Sequence, residues 1–342
     1  MLESPDVERR ERPRALADAP AEKRIRASFQ SIAVELPTGR LSSAEVAERL
    51  GITEEWILSR TGIRERPVAG ADERLSDYAT RAGAAALERA GVDAADVDLV
   101  IVATLSQDEL TPNTAPLVAH ALGAHRAGAF DVGAACTAFL SAVSVAAAEI
   151  ESGRCGWVLV IGADFISRLI NWDDKKSAPL FGDAAGAAVL GPASGEHGAI
   201  GPIVLGADGS AAAAIEIGLT DRKIHMDGPE VYKHAVARLT EATLAAVERA
   251  GMTLADIDLF VYHQANARIT RAVGERLGLE PERVVDCIEN YGNSSAATLP
   301  LALATAELDG RLKPGARVLL AAFGGGFTWG GGVIEWGGSG NA

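Results

Sequence analysis

The chain has 342 residues, 48% of them apolar and 23% charged, with a formal net charge of −14. That length exceeds one simple core and fits two domains or two halves of one large α/β unit, and the acidic balance excludes a general nucleic-acid binder, which needs a basic face for phosphates. Cys136, Cys155 and Cys287, an odd number without CxxC spacing, exclude a disulfide framework and a zinc knuckle. With no run approaching roughly eighteen apolar residues and no apolar leader, the composition predicts a cytoplasmic protein without membrane spans.

Residues 1 to 27 alternate Glu, Arg, Asp and Pro and read as a flexible charged tail. A strand-like run from Phe29 to Leu36 follows, then Ser42-Ser-Ala-Glu45, a capping-box spacing that opens a helix stopped by Gly51. A second short helix starts at Thr53 and carries Trp56 and Arg60. The next helix spans Ser76 to Ala90 and stops at Gly91, and Asp98 to Thr104 is a strand of the fully buried type. Another helix is expected from Asn113 to Gly123.

The stretch Asp131 to Ile150 turns through Gly133, Ala134 and Ala135 into an alanine-rich helix with Cys136 at its mouth. There the unpaired N–H groups and the positive end of the dipole are expected to favour thiolate. A lone cysteine is more often a small buried hydrophobe, so the reading needs support from elsewhere. Beyond it lie a buried strand, Trp157 to Ile161, a polar loop from Asn171 to Ser177, and the Gly-rich turn Phe181-Gly-Asp183 feeding a strand.

The second half repeats the first. Glu88-Arg-Ala-Gly91 and the Ala95-Asp-Val-Asp-Leu99 frame recur as Glu248-Arg-Ala-Gly251 and Ala255-Asp-Ile-Asp-Leu259, 160 positions on, and Val158-Leu-Val160 meets Val318-Leu-Leu320 at the same spacing. The Cys136 turn aligns with Glu289-Asn-Tyr-Gly-Asn293-Ser-Ser-Ala-Ala297 at an offset of 158, which puts Ser294 opposite the cysteine. Two copies imply a duplicated βαβ-rich unit rather than a solenoid. Halves are predicted at 28–195 and 196–342, with the two alanine-rich helices packed at a pseudo-twofold axis and Cys136 facing Asn293 across it.

Further polar signals converge on that axis. His263 ends the strand Leu259 to Tyr262, where α/β folds place functional side chains. The run Phe323-Gly-Gly-Gly-Phe327-Thr-Trp329 follows another buried strand, and its glycines suit a close approach of backbone N–H groups to an oxyanion.

Gly133-Ala-Ala-Cys136-Thr-Ala-Phe139, Phe181-Gly-Asp-Ala-Ala-Gly-Ala187, His263-Gln-Ala-Asn266, Tyr291-Gly-Asn-Ser-Ser-Ala-Ala297 and Phe323-Gly-Gly-Gly-Phe-Thr-Trp-Gly330 together resemble the 3-oxoacyl-[acyl carrier protein] synthase III family of the thiolase superfamily, as does Glu54 to Arg66. The resemblance runs from about residue 29 to 337. It implies a five-layered α-β-α-β-α thiolase-like fold and a decarboxylative condensation of an acyl-CoA starter with malonyl-acyl carrier protein, with no permanently bound cofactor and no metal.

In that family's terms Cys136 is the acylated nucleophile, and His263 and Asn293 bind the malonyl thioester carbonyl. The N–H groups of Cys136 and Gly325 form the oxyanion hole. Trp56 and Arg60 clamp the adenine of coenzyme A, Tyr232, Ala265 and Asn266 line the pantetheine tunnel, and Arg268 contributes to a basic patch for the carrier. Lys175 stands where relatives often have arginine. Thr111 stands where acetyl-specific relatives carry a phenylalanine donated across a homodimer interface, which implies starters larger than acetyl. The competing readings are an acyltransferase that uses a hydroxyl or amine acceptor without decarboxylation, and a catalytically silent partner subunit. A degradative thiolase is disfavoured because no second cysteine accompanies the C-terminal glycines.

Overall fold

The computed structural model describes residues 25–193 and 198–337. The charged tail expected over 1 to 27 lies almost wholly outside them, as does the expected boundary at 195/196.

Ten strands build two sheets. The first contains β1 (Ala27–Glu35), β2 (Leu99–Ala103), β3 (Gly128–Val132), β4 (Val158–Phe165) and β5 (Asp183–Pro192), in the order β1-β5-β4-β2-β3. The second contains β6 (Ala199–Ile200), β7 (Val204–Ala207), β8 (Leu259–Tyr262), β9 (Arg317–Gly324) and β10 (Thr328–Glu335); β8 pairs with β9, β9 with β10, and β10 with both β6 and β7. In each sheet the inner pair is parallel and the next strand antiparallel. Leu99 opposes Val158 in one and Leu259 opposes Val318 in the other, so the repeat holds in register.

Alternation sorts the side chains of both sheets. Leu99, Ile101, Val158 and Val160 pack with Leu259, Val261, Val318 and Leu320 around two central helices, α5 (Ala138–Glu151) and α9 (Thr298–Leu308). Val100, Val102, Leu159 and Ile161 turn outward against α3 (Leu75–Ala90) and α4 (Thr114–Leu122). On the far side, Phe260, Tyr262, Leu319 and Ala321 meet α6 (Gly228–Arg249) and α7 (Ala267–Leu277). Both sheets are therefore covered on both faces, as strands apolar along their whole length require. The result is five layers, helix–sheet–helix–sheet–helix, which is the thiolase-like arrangement.

Local signals act where expected. Ser42 and Glu45 form a capping box on α1 (Ser43–Leu50), which Gly51 ends in the left-handed conformation. Thr53 caps α2 (Glu54–Thr61) through the Trp56 N–H. One expectation is corrected. Ala135 and Ser295 are both left-handed (φ 47° and 51°) and each opens a short turn into its central helix. The two turns are thus 160 apart like the rest of the repeat, and the counterpart of Cys136 is Ala296, not Ser294, because the left-handed residue that opens each turn, and not the run of small side chains, sets the register.

Candidate active site

Both turns abut at the pseudo-twofold axis and open into a cavity of about 600 Å³. Cys136, His263, Asn293 and Gly325 line it, as do Trp56, Arg60, Lys175, Tyr232, Ala265, Asn266 and Arg268, so every residue expected at the site meets in one place. Thr111 is the exception: it is exposed and does not line the cavity of its own chain.

Cys136 is 9% exposed. Burial, helped by the Asp164 carboxylate, pushes its thiol up to about 12 from an ordinary 9.0, and the Ser295 hydroxyl opposes this only in part. Three pH units against the thiolate amount to roughly 4 kcal/mol, whereas a helix dipole contributes roughly 0.3–1 kcal/mol. The expectation that this setting favours thiolate is therefore opposed by burial, which outweighs the helix dipole and favours the thiol in the unliganded chain. The Ser295 hydroxyl stands near both the Cys136 thiol and the Asp164 carboxyl, without meeting full hydrogen-bond geometry to either.

Gly324 closes in behind the cysteine. A Cβ there would sit 2.9 Å from Cys136 N and 3.1 Å from its Cβ, so the backbone of the glycine-rich segment can approach the nucleophile only because position 324 lacks a side chain. Cys136 and Gly325 both line the cavity.

His263 follows β8 and is 2% exposed. Burial drives its imidazole down to about 3, so the ring is neutral. Its Nδ1 lies 2.5 Å from Thr298 Oγ1, which leaves Nε2 as the nitrogen on the cavity side. Asn293 is held by backbone bonds from its N–H to Leu180 O and from Gly182 N–H to its own carbonyl. Its Oδ1 accepts the Ser295 N–H at 2.9 Å, which fixes the orientation of the amide. Nδ2 is left with no acceptor among the described residues and is a donor available to a ligand.

Outward along the cavity, the Arg60 guanidinium stacks 4.3 Å over the Trp56 ring, and that of Arg268 lies 5.4 Å from the Tyr232 ring. Both polar atoms of the Asn266 side chain are committed, Nδ2 to Arg60 O and Oδ1 to the Arg268 N–H that it caps. Asn266 therefore shapes the wall and joins α2 to α7. Arg60, Lys175, Lys176 and Arg268 are exposed where the cavity opens, a cluster of cations on an otherwise acidic chain. Among the described residues no cluster of potential metal ligands occurs.

Sequence reading missed two residues behind the site. Thr298 touches the histidine, and Asp164, fully buried, accepts from Leu105 N, Thr104 Oγ1, Ser106 Oγ and Ala296 N. The repeat held the signal for both, since each breaks the match with its partner 160 positions away: Thr298 with Ala138, Asp164 with Gly324.

Fold and site together define a condensing acyltransferase of the thiolase type. Models of 3-oxoacyl-[acyl-carrier-protein] synthase III and of its C-terminal part match residues 130–209 and 247–336. The beta-ketoacyl-[acyl-carrier-protein] synthase III of Symbiobacterium thermophilum is 43% identical over 320 residues, covering 90% of this chain and 97% of the relative. Among solved structures, the 3-oxoacyl-(acyl carrier protein) synthase III of Pseudomonas aeruginosa PAO1 superposes with a TM-score of 0.89 at 37% identity, covering 92% of this chain and all of that one. The priming beta-ketosynthase of the R1128 polyketide pathway does so with a TM-score of 0.89 at 36% identity, covering 93% and 98%. The chain belongs to the 3-oxoacyl-[acyl-carrier-protein] synthase III family.

Proposed function

We propose that this chain condenses a coenzyme A-borne acyl group with malonyl-acyl carrier protein, and that Cys136, His263 and Asn293 are its reacting residues. The observation that carries the reading is the convergence, in one cavity, of a thiol, a neutral imidazole and an amide whose oxygen is already engaged.

In the first step the Cys136 sulfur attacks the acyl-CoA carbonyl. The oxyanion is held by the N–H groups of Cys136 and Gly325, the thioester bond to coenzyme A breaks, and the thiol proton ends on the departing coenzyme A sulfur. In the second, the malonyl carbonyl sits against His263 Nε2 and Asn293 Nδ2. The carboxylate–carbon bond breaks to release carbon dioxide, and its electron pair forms an enolate whose oxygen the two neutral donors stabilise. The enolate carbon attacks the acyl-cysteine, the sulfur leaves and takes up a proton from solvent, and 3-oxoacyl-carrier protein departs.

Trp56 and Arg60 take the adenine end of coenzyme A. Tyr232, Ala265 and Asn266 wall the pantetheine, and Arg268 with Lys175 and Lys176 offers cations to the phosphates or to an acidic carrier. The reaction draws on the two thioesters alone, without a resident cofactor. The protein works as a cytoplasmic homodimer, and the small Thr111 side chain admits starters larger than acetyl from across that interface. Acyl transfer to a hydroxyl or amine leaves the free Asn293 amide without a task and is the less supported reading.

Acyl-CoA and malonyl-carrier protein supplied together should yield 3-oxoacyl-carrier protein and carbon dioxide. Loading of Cys136 without carbon dioxide release would favour the non-decarboxylating transferase.

A further inference from the structure

One hydroxyl stands directly behind the imidazole and has no task in the reaction as described. Thr298, the first residue of α9, is fully buried. Its Oγ1 lies 2.5 Å from His263 Nδ1 and 2.9 Å from the Ser295 carbonyl oxygen. A hydroxyl carries one proton, so it can donate to one of these acceptors and not to both.

The two choices have opposite consequences for the cavity. If the proton goes to Ser295 O, Nδ1 of the neutral ring must carry the ring hydrogen, and Nε2 turns a lone pair toward the ligand. If it goes to Nδ1, the hydrogen moves to Nε2, which then faces the ligand as a donor.

Two observations select the second. Ser295 O already receives the backbone N–H of Thr298, so it keeps a donor without the hydroxyl, whereas Nδ1 has no other partner among the described residues. The repeat supplies the other: 160 positions back, His263 corresponds to Ala103 and Thr298 to Ala138, both fully buried. The first half lacks the imidazole and the hydroxyl alike, so the two occur as a pair where the ring faces the cavity.

We propose that Thr298 is a positioning residue whose hydroxyl donates to His263 Nδ1 and so holds the imidazole as the Nε2–H tautomer, the neutral form that can donate to the enolate oxygen. This rests on the reading that His263 serves the malonyl carbonyl, and it adds the residue that sets the ring's hydrogen-bonding sense. With Asn293 Nδ2 beside it, the enolate then meets two hydrogens and no lone pair.

The test separates the half-reactions in Thr298→Val, which removes the hydroxyl, and Thr298→Ser, which keeps it. Loading of Cys136 is followed by intact mass, and carbon dioxide release from malonyl-carrier protein is followed on the acylated enzyme. Thr298→Val is expected to slow release by about 100-fold or more, the scale of a mis-set general acid–base residue. Loading should stay within about threefold, and Thr298→Ser should recover most of the lost rate. In the unsubstituted protein, ¹⁵N–¹H correlations of the labelled imidazole should show hydrogen on Nε2.

A folded Thr298→Val that releases carbon dioxide within about threefold of the unsubstituted enzyme overturns the proposal, and so does a ring hydrogen on Nδ1. Should Thr298→Val not fold, the imidazole spectrum of the unsubstituted protein decides alone. Absence of carbon dioxide release from the unsubstituted, acylated enzyme would instead remove the condensation reading beneath it.

Discussion

Asp164 and Gly324 occupy equivalent places at the ends of β4 and β9, and they treat equivalent backbone amides in opposite ways. Asp164 Oδ2 accepts the Ala296 N–H at 3.1 Å. Gly324, 160 positions on, stands against Cys136 N, the amide that corresponds to Ala296 N, and adds no side chain there. In one half a carboxylate oxygen rests on the turn amide; in the other the corresponding position carries no side chain, and the proposed oxyanion hole uses that amide. The duplicated turn thus has its amide bonded to a side chain in one half and free of one in the other.

The half with the free amide should therefore tolerate nothing larger than hydrogen at 324. Gly324→Ala is expected to lower Cys136 loading by about 100-fold or more, the scale of losing one oxyanion donor, while calorimetry still detects coenzyme A binding at the cavity mouth. Loading at the normal rate by a folded variant would show that the space beside Cys136 N is not used.

The resting protonation of Cys136 is readable in its alkylation. With the thiol pushed up to about 12 by burial, only the small thiolate fraction reacts, and that fraction rises about tenfold per pH unit below the pKa. Carboxamidomethylation of Cys136 by iodoacetamide, resolved by peptide mass, should still be climbing at pH 9.5. A plateau below pH 8 would restore the thiolate.

For His263 the sign runs the other way. Its folded-state value, driven to about 3 by burial, lies below the ordinary 6.5. Between those values the unfolded chain binds the proton and the folded one does not. The ring's contribution to stability is thus fully present above pH 6.5 and is lost as pH falls toward 3. Denaturant midpoints should drop more steeply over this window in the unsubstituted protein than in His263→Ala. Carbon dioxide release should show no loss centred near pH 6.5, because the ring does not titrate there; an acid limb at that pH that disappears in His263→Ala would contradict the neutral, desolvated ring.

Much of this was legible in the sequence, and the failures have physical causes. Buried strands, capping signals and the 160-residue repeat rest on local patterns that the packed fold reuses, so the five layers and the convergence of Cys136, His263 and Asn293 could be anticipated. The direction of the Cys136 shift could not, because helix position is visible in sequence whereas burial depends on what packs around the turn, here the backbone at Gly324, with the Asp164 carboxylate adding to it. Thr298 escaped for a related reason: a threonine opening an apolar helix looks like core until the imidazole is found beside it.

At the cavity mouth Arg60 stacks on Trp56, which holds together the two faces expected to take adenine. Arg60→Ala should weaken coenzyme A binding by about 2- to 30-fold, the span of roughly 0.5–2 kcal/mol for such a contact, and raise KM for acyl-CoA with little change in kcat. An unchanged dissociation constant by calorimetry would place the nucleotide elsewhere.

The most direct test of the whole account is the mass of the intact protein through one cycle. Acyl-CoA should add one acyl group to the unsubstituted chain and none to Cys136→Ala. Malonyl-carrier protein should then discharge it with one carbon dioxide released per acyl group lost. An acyl group that loads on Cys136→Ala, or one that leaves Cys136 without carbon dioxide, would contradict the assignment of this cavity to decarboxylative condensation.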